Sequence, residues 1–306
     1  QYADNYVGMK IQPFRIEDEA RKMPNSKYVA GAPFSAFAVR DGNLITGQQQ
    51  NSGAAAAELV VKALDEDRKR YPTYVLVHGA CADESAWGFV RNELARNANV
   101  VVVNLPAHGA DARDGKGVGL FDYVKTVSDA VNAQPGKVIL VGHSMAGAII
   151  SQVAENMPTK IEKLVYVSAY LPKNGESVSG ITNAFLNNKP IEAFAFNEDY
   201  SLVSIKKEAL PAVVCADCPD AMKEMLVKYH RAEPVKGLND KVKLSSRFAA
   251  IPKYYIATTN DAAVPYALQQ QMIRANGSVK KVVTMNTSHL PFVVQPAEFL
   301  QALTGF

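Results

Sequence analysis

A serine lies where a predicted buried strand runs directly into a predicted helix through small residues. The stretch is Val138-Ile-Leu-Val-Gly-His-Ser-Met-Ala-Gly147. A hydroxyl that attacks a carbonyl carbon must project from a tight bend of this kind, and small neighbours keep the strand and the helix from colliding. Glycine is usual where Ala146 stands, and Gly147 follows directly. Ser144 is therefore the predicted nucleophile, and a glycine-rich turn without chemistry is the alternative.

Two other side chains follow in the chain order that suits a serine nucleophile. The hydroxyl needs a base to remove its proton and a third group to orient that base. Asp261 comes just after a predicted strand and before a predicted helix, and His289 has the same kind of position after the last strand. We predict His289 as the base and Asp261 as the acid, with Asn260 and Asp240 as alternatives for the acid. The other histidines are less suitably placed: His78, His108, His143 and His230.

Cleavage of an ester also needs two backbone N–H groups aimed at the oxygen on which negative charge develops. We predict that these belong to Met145, which follows the nucleophile, and to Ala80, in the loop after the first strand of this region. We expect four neighbouring residues to contact the substrate: His78, Gly79, Cys81 and His143. A plain strand-ending turn is the alternative for His78-Gly79.

The elements that would position these residues alternate regularly between residues 71 and 306. The predicted strands are Tyr74–Val77, Val100–Val103, Lys137–Val141, Leu164–Val167, Tyr254–Ile256 and Lys281–Val283. The predicted helices are Trp87–Leu94, Phe121–Val131, Ala146–Val153, Ala267–Ile273 and Ala297–Leu303. Short runs rich in β-branched residues are typical of buried parallel strands. The alternation predicts an α/β fold in which a doubly wound, mostly parallel sheet carries helices on both faces.

One interval, about residues 173–250, interrupts this alternation. It is too long for a bare loop and has mixed helical patterns, so we expect a cap inserted into the fold. Its large apolar residues are Phe185, Phe194, Phe196, Tyr200, Met222, Met225, Leu226 and Tyr229. We expect them to form the core of the cap, and some of them to line a pocket beneath it.

Residues 1–70 form a separate piece with a linker. Asp41-Gly42-Asn43 between two short apolar runs predicts a hairpin, because Asp-Gly readily adopts the positive φ angles of a tight turn. A helix is predicted over Ala54–Leu64, and the polar residues from Leu64 to Arg70 are expected to be a junction.

Two motifs in this piece, Phe14-Arg-Ile-Glu-Asp-Glu19 and Asp41-Gly-Asn-Leu-Ile-Thr-Gly-Gln48, resemble the final third of PfpI-type class I glutamine-amidotransferase-like domains. That family has its reactive cysteine upstream of the matching segment, and residues 1–70 contain no cysteine. Gln49-Gln50 also replaces the Asn-Pro that is usual there. The resemblance therefore implies a remnant that packs without chemistry of its own, or the tail of a longer precursor.

Residues 73–306 resemble the branch of α/β-hydrolases that contains plant methylesterases, hydroxynitrile lyases and bacterial esterase-like proteins. The matching text is Val77-His-Gly-Ala-Cys81 with Trp87, Leu105-Pro-Ala-His-Gly109, Gly142-His-Ser-Met-Ala-Gly147, Arg231-Ala-Glu-Pro-Val235 and Ser288-His289. The resemblance implies the α/β-hydrolase fold and a Ser-His-Asp triad. The resemblance also implies that the lyases use a lysine directly after the catalytic histidine and a threonine in the first oxyanion loop. This chain has Leu290 and Gly79 at these positions.

Those differences favour hydrolysis of a small carboxylic ester through an acyl-enzyme, because departing cyanide would find no nearby cation. Two alternatives stay open. One is cyanohydrin or C–C bond cleavage by the same triad. The other is a non-catalytic protein that binds a small ligand or acts as a scaffold.

Composition limits the partners. The chain is 48% hydrophobic and 21% charged, and its net charge of +3 is spread without dense basic clusters, so we expect no nucleic-acid partner. No apolar run reaches the roughly 18 residues of a membrane span. The expected partner is a small-molecule ester. We expect the protein to use no cofactor and no metal, and a homodimer is an open option.

Three cysteines bear on the compartment: Cys81, Cys215 and Cys218. The Cys215-Ala-Asp-Cys218 pair suggests a redox or zinc motif, but a zinc site needs four ligands and no second close pair accompanies it. We therefore expect structural thiols, as the resemblance also implies for Cys218, and a reducing cytoplasm. The sequence begins at Gln1 rather than at Met, so a periplasmic or secreted location is not excluded.

Overall fold

The computed structural model describes residues 16–306, so Phe14 and Arg15 of the first N-terminal motif lie outside the described residues. The chain divides into two compact units, one ending at Arg70 and one beginning at Tyr71. No helix among the described residues is long and apolar enough to cross a membrane.

Among its described residues, the first unit contains two α-helices and a hairpin. Its elements are α1 (Ile16–Lys22), β1 (Ala38–Asp41), β2 (Leu44–Gly47) and α2 (Gly53–Arg70). β1 and β2 pair antiparallel, and Gly42 in the turn has a φ of 57°. The hairpin is confirmed. The predicted end of the helix at Leu64 is wrong, because α2 continues through the polar residues to Arg70, which include good helix formers and neither glycine nor proline.

The second unit is built on a six-stranded sheet in which every neighbouring pair of strands is parallel. The strands are β3 (Thr73–Val77), β4 (Asn99–Val103), β5 (Val138–His143), β6 (Ile161–Val167), β10 (Lys253–Thr258) and β11 (Val279–Met285). Their order across the sheet is β11-β10-β6-β5-β3-β4. All six predicted strands are confirmed, with β5 in the middle of the sheet.

Apolar side chains are buried on both faces of this sheet. Along β3, Val75 and Val77 belong to one buried cluster, and Tyr74 and Leu76 to another, because successive side chains of a strand point to opposite faces. The helices that follow these strands are α3 (Gly88–Leu94), α4 (Leu120–Asn132), α5 (Ala146–Asn156), α11 (Tyr266–Asn276), α12 (Pro291–Val294) and α13 (Pro296–Thr304). The five predicted helices are confirmed within this set.

Between β6 and β10 lies a long inserted segment, residues 173–250. Its helices are α6 (Val178–Phe185), α7 (Leu210–Val214), α8 (Asp220–Tyr229), α9 (Val235–Asn239) and α10 (Ser246–Ala249). Its strands β7 (Phe194–Phe196), β8 (Leu202–Ile205) and β9 (Glu233–Pro234) form a small antiparallel sheet. The sequence predicts helical patterning here, and the small sheet is an element that it does not predict.

The bend between β5 and α5 depends on a close approach of two backbones. A Cβ on Gly147 would lie 2.0 Å from the carbonyl oxygen of Tyr170. No side chain fits there without moving the backbone that follows β6. Gly147 therefore supplies the small residue that the sequence pattern requires next to Ala146.

We expect Gly147→Ala to prevent folding, or to lower the free energy of unfolding by at least about 3 kcal/mol, because the overlap is with backbone rather than with a flexible side chain. Gly136→Ala is the matched control, since a Cβ there would meet nothing within 4 Å. That control should change stability by no more than about 0.5 kcal/mol. Urea unfolding of both variants is the measurement, and equal midpoints would contradict the expectation.

Candidate active site

Ser144 occupies a strained bend at the carboxyl end of β5. Its φ is 56°, in the left-handed region that non-glycine residues rarely adopt. Backbone hydrogen bonds hold it there. Its N–H donates to Val167 at 3.1 Å, and its carbonyl accepts from Gly147 at 3.1 Å and from Tyr170 at 3.0 Å. Strain at a residue held this firmly is typical of a functional site.

The structure brings His289 and Asp261 together. Nδ1 of His289 donates to Oδ2 of Asp261 at 2.7 Å, and both side chains are almost completely buried. With the proton on Nδ1, the neutral ring presents a lone pair on Nε2, which is what a base needs. The predicted base and acid are therefore in direct contact at the edge of the sheet where Ser144 lies.

Asp261 is itself fixed by four further hydrogen bonds. Its Oδ1 accepts from the backbone N–H groups of Ala263 at 2.9 Å and Val264 at 2.8 Å. Its Oδ2 accepts from Thr258 Oγ1 at 2.9 Å and Gln269 Nε2 at 3.3 Å. The carboxylate cannot turn away from the imidazole without breaking these bonds. Asp240, the alternative acid, instead pairs with Lys236 at 2.7 Å.

The loop that carries His289 is bound to the inserted segment through Asp217. Ser288 donates its N–H to Asp217 Oδ2 at 2.8 Å, and its hydroxyl donates to Oδ1 of the same residue. Asp217 is not among the residues that the sequence predicts for the site. The one signal was its position between the two nearby cysteines.

Cys215 and Cys218, on either side of Asp217, form a disulfide with their Cα atoms 5.2 Å apart. Both side chains are buried. The sequence predicts structural or incidental thiols and leaves their redox state open, and the structure pairs them instead. The bond closes a short loop that presents Asp217 to Ser288.

His143 contacts the loop that carries His289. Its Nε2–H donates to the carbonyl of His289 at 2.9 Å, and its ring packs edge-on against Phe292. Burial lowers the pKa of His143 well below the usual value for histidine, and the nearby His289 adds to this effect. A neutral ring suits a residue that donates one hydrogen bond to a carbonyl.

The oxyanion loop, residues 78–82, follows β3. Within the described part of the chain, neither the N–H of Ala80 nor that of Met145 donates a hydrogen bond to the protein. Both are therefore free to bind a substrate oxygen. Cys81 has a φ of 61°, a second left-handed residue at this edge of the sheet.

His78 lies beneath this loop and is fully buried. Its Nδ1 donates to the carbonyl of Gly79 at 2.9 Å, and its Nε2 accepts from the N–H of Leu105 at 3.1 Å. Burial lowers the pKa of His78 to about 4, and the neighbouring His108 contributes to the shift. Both ring nitrogens are occupied by the backbone, so His78 shapes the loop.

A large cavity of about 950 Å³ opens over these residues. Ser144, His289, Ala80, Met145, Cys81 and His143 all contribute to its wall. His78 and Gly79 do not, and their contact with substrate stays a prediction that the cavity wall does not support. His78 is buried below the loop, and Gly79 faces Ser144 and His143.

The inserted segment supplies most of the apolar wall of the cavity. The contributing large side chains are Phe185, Phe194, Phe196, Met222, Met225, Leu226 and Tyr229. Tyr200 from the predicted set is not among them and is 70% exposed. An apolar wall of this kind suits an uncharged organic ligand.

Comparison with known proteins agrees with this geometry. The profile of the alpha/beta hydrolase family matches residues 74–302. The chain belongs to the alpha/beta hydrolase family. Methylesterase 1 of Arabidopsis thaliana is 28% identical over 253 residues, covering 76% of this chain and 94% of the relative. A pyrethroid hydrolase of Sphingobium wenxiniae is 27% identical over 247 residues, covering 76% and 86%. A longer chloroplastic relative from Arabidopsis thaliana is 29% identical, and this chain spans 60% of its length.

Solved structures also resemble this hydrolase. A pyrethroid hydrolase superposes with a TM-score of 0.69 at 25% identity, over 77% of this chain and 97% of the other. Polyneuridine aldehyde esterase superposes with a TM-score of 0.69 at 22% identity, over 77% and 98%, which shows a shared fold. These matches confirm the α/β-hydrolase fold and its parallel sheet.

The buried, neutral His78 predicts a pH dependence of stability. The folded pKa of about 4 lies below the ordinary 6.5, so the unfolded chain binds a proton that the folded chain does not. The free energy of unfolding should fall by up to about 3 kcal/mol as pH drops from 6.5 to 4. In His78→Gln, the side-chain oxygen can still accept from the N–H of Leu105, but no group titrates there. The part of the pH dependence of unfolding free energy that comes from His78 should therefore vanish. Denaturant unfolding at several pH values measures it, and equal slopes in both proteins would contradict a neutral His78.

Proposed function

We propose that this hydrolase cleaves a small carboxylic ester through an acyl-enzyme formed on Ser144. The observation that carries the proposal is the 2.7 Å hydrogen bond between His289 and Asp261 at the wall of the cavity that Ser144 also lines. It fixes the tautomer in which Nε2 of the histidine can accept the serine proton.

The reaction follows from this arrangement. His289 Nε2 takes the proton of Ser144 as Oγ attacks the ester carbonyl carbon, and the carbonyl oxygen becomes negative. The N–H groups of Ala80 and Met145 bind that oxygen. When the intermediate collapses, the alcohol leaves with the proton from His289. Water, activated by the same histidine, then hydrolyses the acyl-enzyme and frees Ser144.

The names of the relatives support an ester as substrate. They include methylesterases, a pyrethroid hydrolase and an aldehyde esterase. The cavity of about 950 Å³ with a mostly apolar wall supports an uncharged ester. We propose no cofactor for the reaction, because the triad and the oxyanion donors supply each proton transfer and charge contact that it needs.

Two positions favour hydrolysis over cyanohydrin cleavage. Leu290, directly after His289, is apolar and buried, so it offers no cation to departing cyanide. A Cβ on Gly79 would lie 2.7 Å from the Cβ of Ser144. A threonine at this position would therefore displace the nucleophile or the loop.

We further propose that residues 173–250 act as a cap over the cavity, and that residues 1–70 are a PfpI-like remnant without chemistry. The first proposal is supported by the aromatic and methionine side chains that the segment contributes to the cavity wall. For the compartment, the cytoplasm stays a proposal, and the Cys215–Cys218 disulfide favours its alternative, a periplasmic or secreted location. Thiol labelling of Cys215 and Cys218 in freshly lysed cells tests it, because a disulfide persists in oxidising compartments.

Short p-nitrophenyl esters test the function directly. Wild type should turn them over, and Ser144→Ala should lower kcat at least about 10⁴-fold because no other hydroxyl can form the acyl-enzyme. Ser245→Ala, which removes a hydroxyl that donates to Glu155, should keep both turnover and labelling of Ser144 by a fluorophosphonate. Release of cyanide from mandelonitrile by an esterase-inactive wild type would favour the lyase alternative, and inertness in every assay would favour the non-catalytic one.

Asp261→Asn should lower kcat by about 10⁴-fold, because the amide can donate to Nδ1 and thereby place the ring proton on Nε2, the wrong nitrogen. Asp240→Asn is the matched control, since Asp240 pairs with Lys236. That control should stay within about threefold of wild type. Steady-state rates of both variants give the answer, and a larger loss in Asp240→Asn would identify it as the acid.

A further inference from the structure

Glu233 is a carboxylate that the chemistry described so far does not use. It lies in β9 of the inserted segment and has no exposed surface. Its Oε1 accepts from the hydroxyl of Tyr123 at 2.7 Å. Its Oε2 accepts from His108 Nε2 at 2.8 Å and from the backbone N–H of Cys81 at 3.0 Å. The last bond joins the inserted segment to the oxyanion loop.

The hydrogen-bond partners assign charges within this network. Nδ1 of His108 faces the carbonyl of Pro106 at 2.9 Å, and Nε2 faces Glu233. A carbonyl and a carboxylate only accept, so both ring nitrogens carry protons and His108 is a cation. Burial alone would lower the pKa of His108, but the hydrogen bond and charge of Glu233 outweigh it and raise the pKa. Glu233 and His108 therefore form a buried ion pair.

Stability alone does not account for such a pair. Removing two charges from water costs several kcal/mol, and well-packed apolar residues of similar volume are often as stabilising. A buried ion pair does, however, fix geometry, because every alternative arrangement leaves a charge without a partner. The group whose geometry Glu233 fixes is the N–H of Cys81.

That N–H lies next to the predicted oxyanion donor. Each peptide unit is planar, so holding one of its atoms orients the rest. The carbonyl of Gly79 shares a peptide unit with the N–H of Ala80, and His78 holds that carbonyl. The N–H of Cys81 belongs to the next unit, and Glu233 holds it. The two peptide units on either side of the Ala80 Cα are thus each held by a buried side chain.

The left-handed backbone of Cys81, with a φ of 61°, shows why its hydrogen bond to Glu233 matters. A non-glycine residue keeps this conformation only where the surroundings impose it. Without an acceptor for its N–H, Cys81 could relax to an ordinary conformation. The N–H of Ala80 would then turn away from the position of the substrate oxygen.

We propose that Glu233 is a positioning residue for the oxyanion hole, so that the inserted segment shapes the transition-state contact as well as the cavity wall. This rests on the proposed ester hydrolysis. The carboxylate has no exposed surface, and its oxygens are taken up by Tyr123, His108 and Cys81, so it acts on the oxyanion donor through Cys81. Its removal should therefore weaken binding of the transition state more than binding of the substrate.

Two substitutions test how strongly kcat depends on the Glu233 carboxylate. Glu233→Ala removes the acceptor, and kcat should fall by about 100-fold with KM changed less than about threefold, as expected for a misaligned oxyanion donor. Glu233→Gln keeps an oxygen for Cys81 and His108 while its NH₂ can donate to the Tyr123 oxygen. Its kcat should fall by about tenfold, because a neutral acceptor binds the N–H of Cys81 more weakly than a charged one. If the alanine variant does not fold, the glutamine variant decides.

A structural role alone would give a different result. Glu155→Ala is the matched control, since that carboxylate accepts three hydrogen bonds from Ser245 and Phe248. It should lower stability and leave kcat within about threefold of wild type. A trifluoromethyl ketone, which adds to Ser144 to form an oxyanion, should bind more weakly to the Glu233 variants, whereas the matching methyl ketone should bind unchanged. Equal weakening of both ketones, or a wild-type kcat in a folded Glu233 variant, would overturn the proposal.

Hydrogen exchange separates this proposal from the proposed function. The Cys81 amide should exchange slowly in wild type and faster in both Glu233 variants, measured on peptides that cover residues 79–82. Unchanged exchange overturns the role of Glu233 whether or not the protein cleaves esters. If wild type cleaves no ester but the Cys81 amide exchanges faster in the variants, the result would count against ester hydrolysis. It would still support the role of Glu233 in holding the loop.

Discussion

The left-handed bend at Ser144 is the constraint on which the rest of the site depends. Three backbone hydrogen bonds hold it, and one of them reaches the segment after β6 through Tyr170. A glycine at position 147 is needed for that backbone to come close enough. Because all six strands are parallel, their carboxyl ends meet at one edge, and the loops that carry Ala80, Asp261 and His289 arrive beside the serine.

Burial and hydrogen-bond partners divide the histidines of this region into distinct roles. His78 and His143 are neutral, each donating to a carbonyl, and burial lowers both of their pKa values. His108 lies between a carbonyl and a carboxylate and is a cation. His289 alone has a carboxylate on Nδ1 and a cavity beside it. One residue type thus serves as a support, a counter-charge and a candidate base.

The sheet and the three main site residues could be predicted because they depend on local patterns. The β-branched runs fix the strands, and Ser144, Asp261 and His289 each lie within four residues of the end of a strand. Supports such as Glu233 and Asp217 could not be predicted, since their contacts join residues 152 and 71 positions apart and leave no periodic signal. The orientation of His78 could not be predicted either, since a histidine at a strand end can point either way and only the position of Leu105 decides.

The link from Asp217 to Ser288 has a consequence for how specificity can change in this protein. Asp217 holds the loop of the base, and Glu233 contacts the loop of the oxyanion donor, yet both belong to the inserted segment. Exchanging this segment for one without these two carboxylates would replace the cavity wall and remove both anchors together. Point substitutions on the wall, which leave Asp217 and Glu233 in place, are therefore the structurally safer route to a new substrate range, in the laboratory and in evolution.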